Sequence, residues 1–146
     1  MPKGKSGKVS CNTDGCSTKV CGMGMCSKHM QRWLRINDPE WAQRQRDNQS
    51  VLTIKNRDLC YAAYGGYRCV CCGETTPLFL TLDHIHGNGR RHLRELGLRD
   101  TRKMYRWIIR NDFPSDLFQV LCYNCNSGRY RNGGVCPHKE LANELL

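Results

Sequence analysis

The chain has 146 residues, which is enough for one domain, or for one domain with a small appendage. Apolar residues make up 39% of it and the mean hydropathy is −0.64, which argues against a large core and favours a stapled fold. There are 23 Lys and Arg against 13 Asp and Glu, and the resulting charge of +10 predicts binding to a polyanion, most commonly a nucleic acid. The alternative is a basic protein with no nucleic-acid role.

The start of the chain and its cysteines predict the cellular compartment. Residues 1–8 form a Lys/Gly/Ser tail that we expect to be disordered, without the apolar stretch of a signal peptide. No run of residues is long enough to span a membrane, so we expect no membrane partner. Eleven cysteines suit either disulfides or metal ligands, but the odd number and the paired spacings favour metal. We therefore predict a cytoplasmic metalloprotein.

A cysteine-rich module comes first. Four cysteines follow one another at intervals of five residues, and a histidine follows the last of them at the start of a predicted helix. The favoured ligand set for a zinc ion is Cys11, Cys16, Cys26 and His29; the alternative set replaces His29 with Cys21. The module is either a DNA-binding element or an inert appendage, and its basic residues favour phosphate contact: Lys19, Lys28, Arg32 and Arg35.

The next elements follow from periodicity and from helix-breaking residues. A short helix is predicted from Ser27 to Leu34, ended by Asp38-Pro39, and the polar stretch from Pro39 to Ser50 is a linker or a solvent-facing helix. Residues 1–50 are thus tail, zinc knuckle and helical linker, and residues 51–146 form the main domain.

The main domain alternates helical and strand patterns. A helix from Asn56 to Tyr64 is capped by Asn56 and stopped by Gly65-Gly66. The elements that follow are a strand (79–83), a helix (90–96), a helix capped by Asp100 (101–109), a strand (118–122) and a last helix from about Cys125 to Gly133-Gly134. Trp107, Tyr105 and Ile108 are expected in the core.

Two Cys-x-x-Cys pairs predict a second zinc site in this domain. A knuckle of this kind often needs positive φ after its second cysteine, and Gly73 meets that need. The predicted ligands are Cys69, Cys72, Cys122 and Cys125. Cys71 should point away, and four thiolates make the zinc structural. Cys136 and His138 look like half of a metal pair, with Cys60 as a candidate third ligand, but we expect them to be free.

The Asp83-His84 doublet lies between the two pairs. Imidazole titrates near neutral pH and suits a general base, while a carboxylate oxygen suits Mg²⁺ or Mn²⁺. Because neighbouring strand residues face opposite sides, both side chains can serve one site only if the strand breaks into the loop Gly87-Asn88-Gly89. The amide oxygen of Asn126 is the candidate second metal ligand; the alternative is that Asn126 caps the last helix.

Together, these residues resemble the HNH (His-Me finger) endonucleases over about residues 60–131, and the N-terminal module resembles the zinc knuckles of phage-type HNH proteins. The resemblance implies a small α+β fold with a ββα-metal core stapled by the Cys₄ zinc. It implies that Asp83 and Asn126 hold the catalytic metal and that His84 is the base. Leu117 stands where many members carry an Asn that braces the loop, and Asp116, Asn88 or His92 would replace it.

The predicted function is a metal-dependent DNA endonuclease with two structural Zn²⁺ and one catalytic Mg²⁺ or Mn²⁺, acting as a monomer or weak homodimer inside a phage-infected or bacterial cell. His92 is a further catalytic candidate that would orient His84 or contact phosphate, as would His86. Flanking arginines would bind phosphate or form a solvated face: Arg90, Arg91 and Arg94. The rival functions are a non-catalytic zinc-containing DNA-binding protein on an HNH fold, and an RNA-binding or RNA-cleaving protein.

Overall fold

A computed structural model describes residues 10–139 of the chain. The chain divides into two compact units, with the boundary between Ser50 and Val51. The tail expected at residues 1–8 lies outside the described residues. None of the described helices is both long and apolar enough to cross a membrane.

The N-terminal unit begins with turns and two isolated bridges, Ser10 to Lys19 and Gly22 to Met25. Helix α1 follows over Ser27–Asn37, which confirms the predicted start and extends the helix beyond Leu34 to Asn37, with Asp38 as its C-cap. The turns hold the cysteine-rich module in place through backbone hydrogen bonds, such as Cys11 N to Thr18 O at 3.0 Å.

Helix α2 runs without interruption over Pro39–Ala63, and the boundary between the units falls inside it. The prediction of a separate helix capped by Asn56 is therefore wrong. The helix starts earlier because the Asp38 carboxylate accepts a hydrogen bond from Trp41 N at 2.8 Å and Pro39 suits a first helical position. No Gly or Pro interrupts the stretch until Gly65 and Gly66, both at positive φ, end it as predicted.

The larger unit contains one small sheet and three further helices. Its elements after a 3₁₀ turn at Pro77–Phe79 are β1 (Leu80–His84), α3 (Gly89–Glu95), α4 (Thr101–Arg110), β2 (Phe118–Cys122) and α5 (Tyr123–Arg131). The second strand has the predicted bounds, β1 is shifted by one residue, and α5 starts two residues early. Asp100 caps α4 as predicted, accepting from Lys103 N at 2.9 Å.

The two strands pair antiparallel, with Leu80 opposite Cys122 and His84 opposite Phe118. Along β1, buried and half-buried residues alternate, so one face of the strand meets the core. Helix α5 follows β2 directly and packs against both strands. The protein is therefore a small α+β structure with a two-stranded antiparallel sheet.

The core of the larger unit lies against that sheet. Helix α4 contributes Met104, Tyr105 and Ile108, and Trp107 packs at the edge, which confirms the expected core positions. The Tyr61 hydroxyl donates a hydrogen bond to Leu80 O at 3.0 Å and ties the end of α2 to β1. Five cysteines belong to the same core: Cys60, Cys69, Cys122, Cys125 and Cys136.

Candidate functional site

The N-terminal unit brings the favoured ligand set together. The ligand atoms of Cys11, Cys16, Cys26 and His29 all lie within 4.8 Å of one another. Tetrahedral zinc places two sulfurs about 3.8 Å apart, and a sulfur and a nitrogen about 3.6 Å apart. The Sγ atoms of Cys16 and Cys26 are 3.9 Å apart, and His29 Nδ1 lies 3.3 Å from Cys11 Sγ and 3.5 Å from Cys26 Sγ. These four residues could hold a zinc ion, and Cys21 is exposed outside the set.

The larger unit brings together the predicted Cys₄ set. Cys69, Cys72, Cys122 and Cys125 have their sulfurs within the same 4.8 Å limit, and the Cys72–Cys122 distance is 3.7 Å. Gly73 adopts φ of 81°, as the knuckle geometry predicts. Burial raises the pKa of Cys69, but hydrogen bonds from the backbone of Cys72 and Cys122 outweigh it and lower the value to about 6. A thiolate is therefore accessible at neutral pH, which suits zinc.

Three further candidate ligand residues lie beside this set, although Cys136 and His138 were expected to be free. The ligand atoms of Cys71, Cys136 and His138 lie within 4.8 Å of one another and of Cys125 Sγ. His138 Nδ1 lies 3.2 Å from Cys125 Sγ and 3.7 Å from Cys136 Sγ. Cys136 and His138 thus have neighbours from distant segments that the sequence spacing did not suggest, and together with Cys71 and Cys125 they could hold a metal ion. Cys60 stays apart: its thiol donates to Tyr105 O, and burial raises its pKa to about 11.

The Asp83-His84 doublet is divided between two faces of β1. The strand continues through His84, which pairs with Phe118, so the expected break at the doublet does not occur. His84 is buried at 7% exposure, whereas Asp83 is half-buried on the other face. Regular alternation along the strand explains the division.

The Asp83 face borders a cavity of about 270 Å³. Asn126, the other predicted metal ligand, lines the same cavity from α5. It is the fourth residue of that helix, whose cap is Cys122 with its sulfur accepting from Cys125 N, so the capping role for Asn126 is wrong. The complete lining is Asp83, His86, Gly87, Gly89, Asn126, Arg129, Tyr130 and Gly134.

Arg129 is the principal residue of this cavity that the sequence did not predict. Its Nη1 donates to Asp83 Oδ2 at 3.0 Å, and its Nη2 donates to Ile85 O. Gln119 Nε2 donates to the same Asp83 oxygen at 3.3 Å. Arg129 lies one helical turn after Asn126, so the spacing along α5 was the available signal.

The loop after β1 is braced by backbone and by Arg129. Ile85 N donates to Leu117 O at 3.0 Å, and Arg129 holds the Ile85 carbonyl from the other side. The backbone of Leu117 therefore braces the loop, a role that was expected of Asp116, Asn88 or His92.

The His84 face holds a pair of histidines. His84 Nε2 and His92 Nδ1 are 2.9 Å apart, and the His84 ring packs on Phe118 with centroids 4.5 Å apart. Burial lowers the pKa of His84, and the neighbouring His92 lowers it further, against a smaller opposite effect of Asp83. The imidazole is therefore neutral at neutral pH and able to accept a proton.

Gly89 connects the buried histidine to the cavity. A Cβ at this position would lie 2.8 Å from His84 Nδ1, so any residue larger than glycine would clash with the His84 ring. Gly89 also lines the cavity beside Asp83 and Asn126. Gly89 thus lies against both the His84 ring and the cavity, while His84 itself is not among the lining residues and its ring lies on the other face of the strand.

Exposed basic residues follow Gly89 in the chain. Arg90, Arg91 and Arg94 are all exposed on α3, which begins at the Gly89 wall. Arg91 forms only a solvent-exposed pair with Glu95 at 3.7 Å, which contributes little to stability. These guanidinium groups are available to an anionic partner.

Comparison with protein-family models, with curated proteins and with solved structures found no match for this chain. A functional assignment therefore depends on the site and on the sequence motifs alone.

Proposed function

We propose that the protein is an HNH-type endonuclease, with a ββα-metal core, that hydrolyses phosphodiester bonds in DNA. The observation that carries the proposal is the convergence of Asp83, at the end of β1, and Asn126, at the start of α5, on one cavity. His84 Nδ1 lies against the glycine that forms part of its wall. A carboxylate, an amide oxygen and a neutral imidazole are the groups that metal-assisted hydrolysis of a phosphodiester needs.

The donors around the cavity fit a hard divalent cation. Both hydrogen bonds to the Asp83 carboxylate go to Oδ2, from Arg129 and Gln119, so Oδ1 is the oxygen for a cation. Mg²⁺ or Mn²⁺ bound there by Asp83 and Asn126 would neutralise charge on the phosphate and on the leaving oxygen. Arg129 holds the carboxylate in position and adds positive charge beside the phosphate.

His84 is the proposed general base. If His84 donates from Nε2 to His92, its Nδ1 keeps the lone pair that accepts a proton from the attacking water. His92 then fixes both the tautomer and the ring orientation. In-line attack would leave 5′-phosphate and 3′-hydroxyl ends, as the HNH resemblance implies.

The basic surface supports DNA as the substrate. The net charge of +10 and the exposed arginines of α3 match a phosphate backbone. The three arginines would bind phosphates flanking the scissile one. Binding of this kind weakens with salt, and each lost phosphate contact reduces the salt dependence by about one unit of slope.

A plasmid nicking assay tests the proposal. Supercoiled DNA should be cleaved with Mg²⁺ or Mn²⁺ and left intact with EDTA. His84→Ala should lower the rate by roughly 10² to 10⁴ while the chain still folds, binds DNA and keeps its zinc, because it removes the base and no structural ligand. DNA binding without cleavage under every metal condition would instead support the non-catalytic DNA-binding rival.

Two companion variants locate the base. His86 lines the cavity and is exposed, so His86→Ala is the matched control for His84→Ala. Gly89→Ala should reproduce much of the His84→Ala loss, because its methyl group would cover Nδ1. A large loss in His86→Ala with normal turnover in His84→Ala would transfer the role of base to His86.

A further inference from the structure

We propose that the larger unit holds two zinc ions that share the thiolate of Cys125. The proposal concerns what we call the sulfur cluster: Cys69, Cys71, Cys72, Cys122, Cys125, Cys136 and His138. It does not rest on the proposed nuclease activity, because the sulfur cluster includes neither Asp83 nor Asn126.

Seven ligands can complete two four-coordinate zinc sites only if the two ions share one sulfur. Two groups of four ligands meet the distance limit, and Cys125 belongs to both. Cys71, Cys136 and His138 supply three ligands to a second ion, and a closed tetrahedral zinc site needs four. The bridging Cys125 thiolate supplies the fourth while it completes the first site.

Distances around Cys125 fit a second tetrahedron. The distances from His138 Nδ1 to Cys125 Sγ and Cys136 Sγ are 3.2 and 3.7 Å, on either side of the sulfur–nitrogen edge of about 3.6 Å expected for zinc. Cys125 is fully buried at the centre of the cluster. A bridging thiolate must touch two ions at once, and a central position among six other ligands permits it.

Local backbone geometry brings the ligands of the second ion next to Cys125. Cys71 and Cys72 are neighbours in sequence, yet they fall in different ligand groups, so the knuckle serves both ions. After α5, Gly134 N donates to Arg129 O at 2.9 Å and turns the chain back toward the helix. A Cβ at Gly128 would lie 3.1 Å from Pro137 Cδ, so this glycine lets the Cys136–His138 segment approach α5 closely.

Access and charge also favour a second ion. Cys71 and Cys136 line a cavity of about 280 Å³, which gives a metal ion an entry path. Six thiolates with two Zn²⁺ ions carry a net charge of about −2, with the histidine neutral. Basic side chains line the cavities beside the cluster and offset that charge: Arg68, Arg129 and Lys139.

Native mass spectrometry of the full chain, purified with zinc, is the first test. The three ligand groups predict about three zinc ions per chain, two of them in the larger unit. Cys136→Ser and His138→Ala should each remove one. Cys21→Ser is the matched control, since Cys21 is exposed and outside every group, and it should keep all of them. A full zinc count in Cys136→Ser would overturn the proposal.

Cadmium NMR of the unaltered chain decides the question without relying on a variant to fold. Replacing zinc with a spin-active cadmium isotope should give two thiolate-rich resonances from the larger unit, split by scalar coupling through Cys125 sulfur. Cys16→Ser identifies the N-terminal resonance by its loss. A single resonance from the larger unit, or two without mutual coupling, would overturn the bridge. Neither result would affect plasmid nicking, which tests the nuclease proposal separately.

Discussion

The two units of the chain position their candidate metal ligands in different ways. In the N-terminal unit, all four ligands come from one segment of fewer than twenty residues, Cys11 to His29. In the larger unit, they come from three segments separated in sequence, and four of the cysteines belong to the hydrophobic core. Among residues 10–50 the buried apolar residues are only Cys11, Cys26 and Ala42. The cysteine-rich module therefore has little apolar burial to support it beside its candidate ligands, whereas the sulfur cluster is continuous with the core and the sheet.

The largest effect should follow from breaking the sulfur cluster where it meets the sheet. Cys122 ends β2, caps α5 and supplies a ligand, so Cys122→Ser should unfold the larger unit. Structural zinc contributes on the order of 10–16 kcal/mol of apparent binding free energy, comparable with a whole domain's stability of about 5–15 kcal/mol. Circular dichroism and zinc analysis would measure the loss. A cooperative transition at the original temperature would contradict the structural role of this cysteine.

A matched change in the N-terminal unit should have a confined effect. Cys16→Ser should remove one zinc and disorder the cysteine-rich module, because little apolar burial remains to hold it. The thermal transition of the larger unit should stay within a few degrees of the original. Hydrogen exchange, read separately for residues 10–37 and 80–131, would distinguish the two units. Equal loss of protection in both would show that the units are thermodynamically coupled.

Substitutions of Asn126 test whether the Asp83 cavity and the sulfur cluster have independent roles. It follows Cys125 directly but lines the Asp83 cavity, so Asn126→Ala should lose most cleavage and no zinc. Asn126→Asp keeps an oxygen donor and should retain some activity with an altered metal preference. Asn124→Ala is the matched control on the exposed side of α5. Kinetics across a Mg²⁺ and Mn²⁺ titration measure these effects, and normal cleavage by Asn126→Ala at low Mg²⁺ would remove Asn126 from the site.

The smallest expected effect is the loss of a helix cap that touches no metal ligand. Asp100→Ala removes the acceptor for Lys103 N and should destabilise the larger unit by about 1 kcal/mol. Both zinc content and cleavage rate at low temperature should remain unchanged. Urea denaturation would measure the change in the free energy of unfolding. A loss of several kcal/mol would mean that α4 supports the sulfur cluster as well as the core.

Periodicity, helix-breaking residues and ligand spacing are local properties, so the sequence by itself determined much of this protein. The bounds of β2, the Asp100 cap and the stop at Gly65-Gly66 all follow from residues within a few positions of one another. The N-terminal candidate ligands come from one short segment, but the structure was needed to choose His29 over Cys21. The continuity of α2 was missed because a polar helix without breaking residues resembles a linker in composition.

Only the tertiary structure decided which distant groups meet. Pairing of β1 with β2 fixed Asp83 and His84 on opposite faces, and the packing of α5 placed Arg129 on Asp83. The return of the chain after α5 brought His138 to Cys125, a contact that no local spacing specifies. Such contacts depend on how elements pack, because the free energy that stabilises them comes from burial and ligand geometry across segments remote in the sequence.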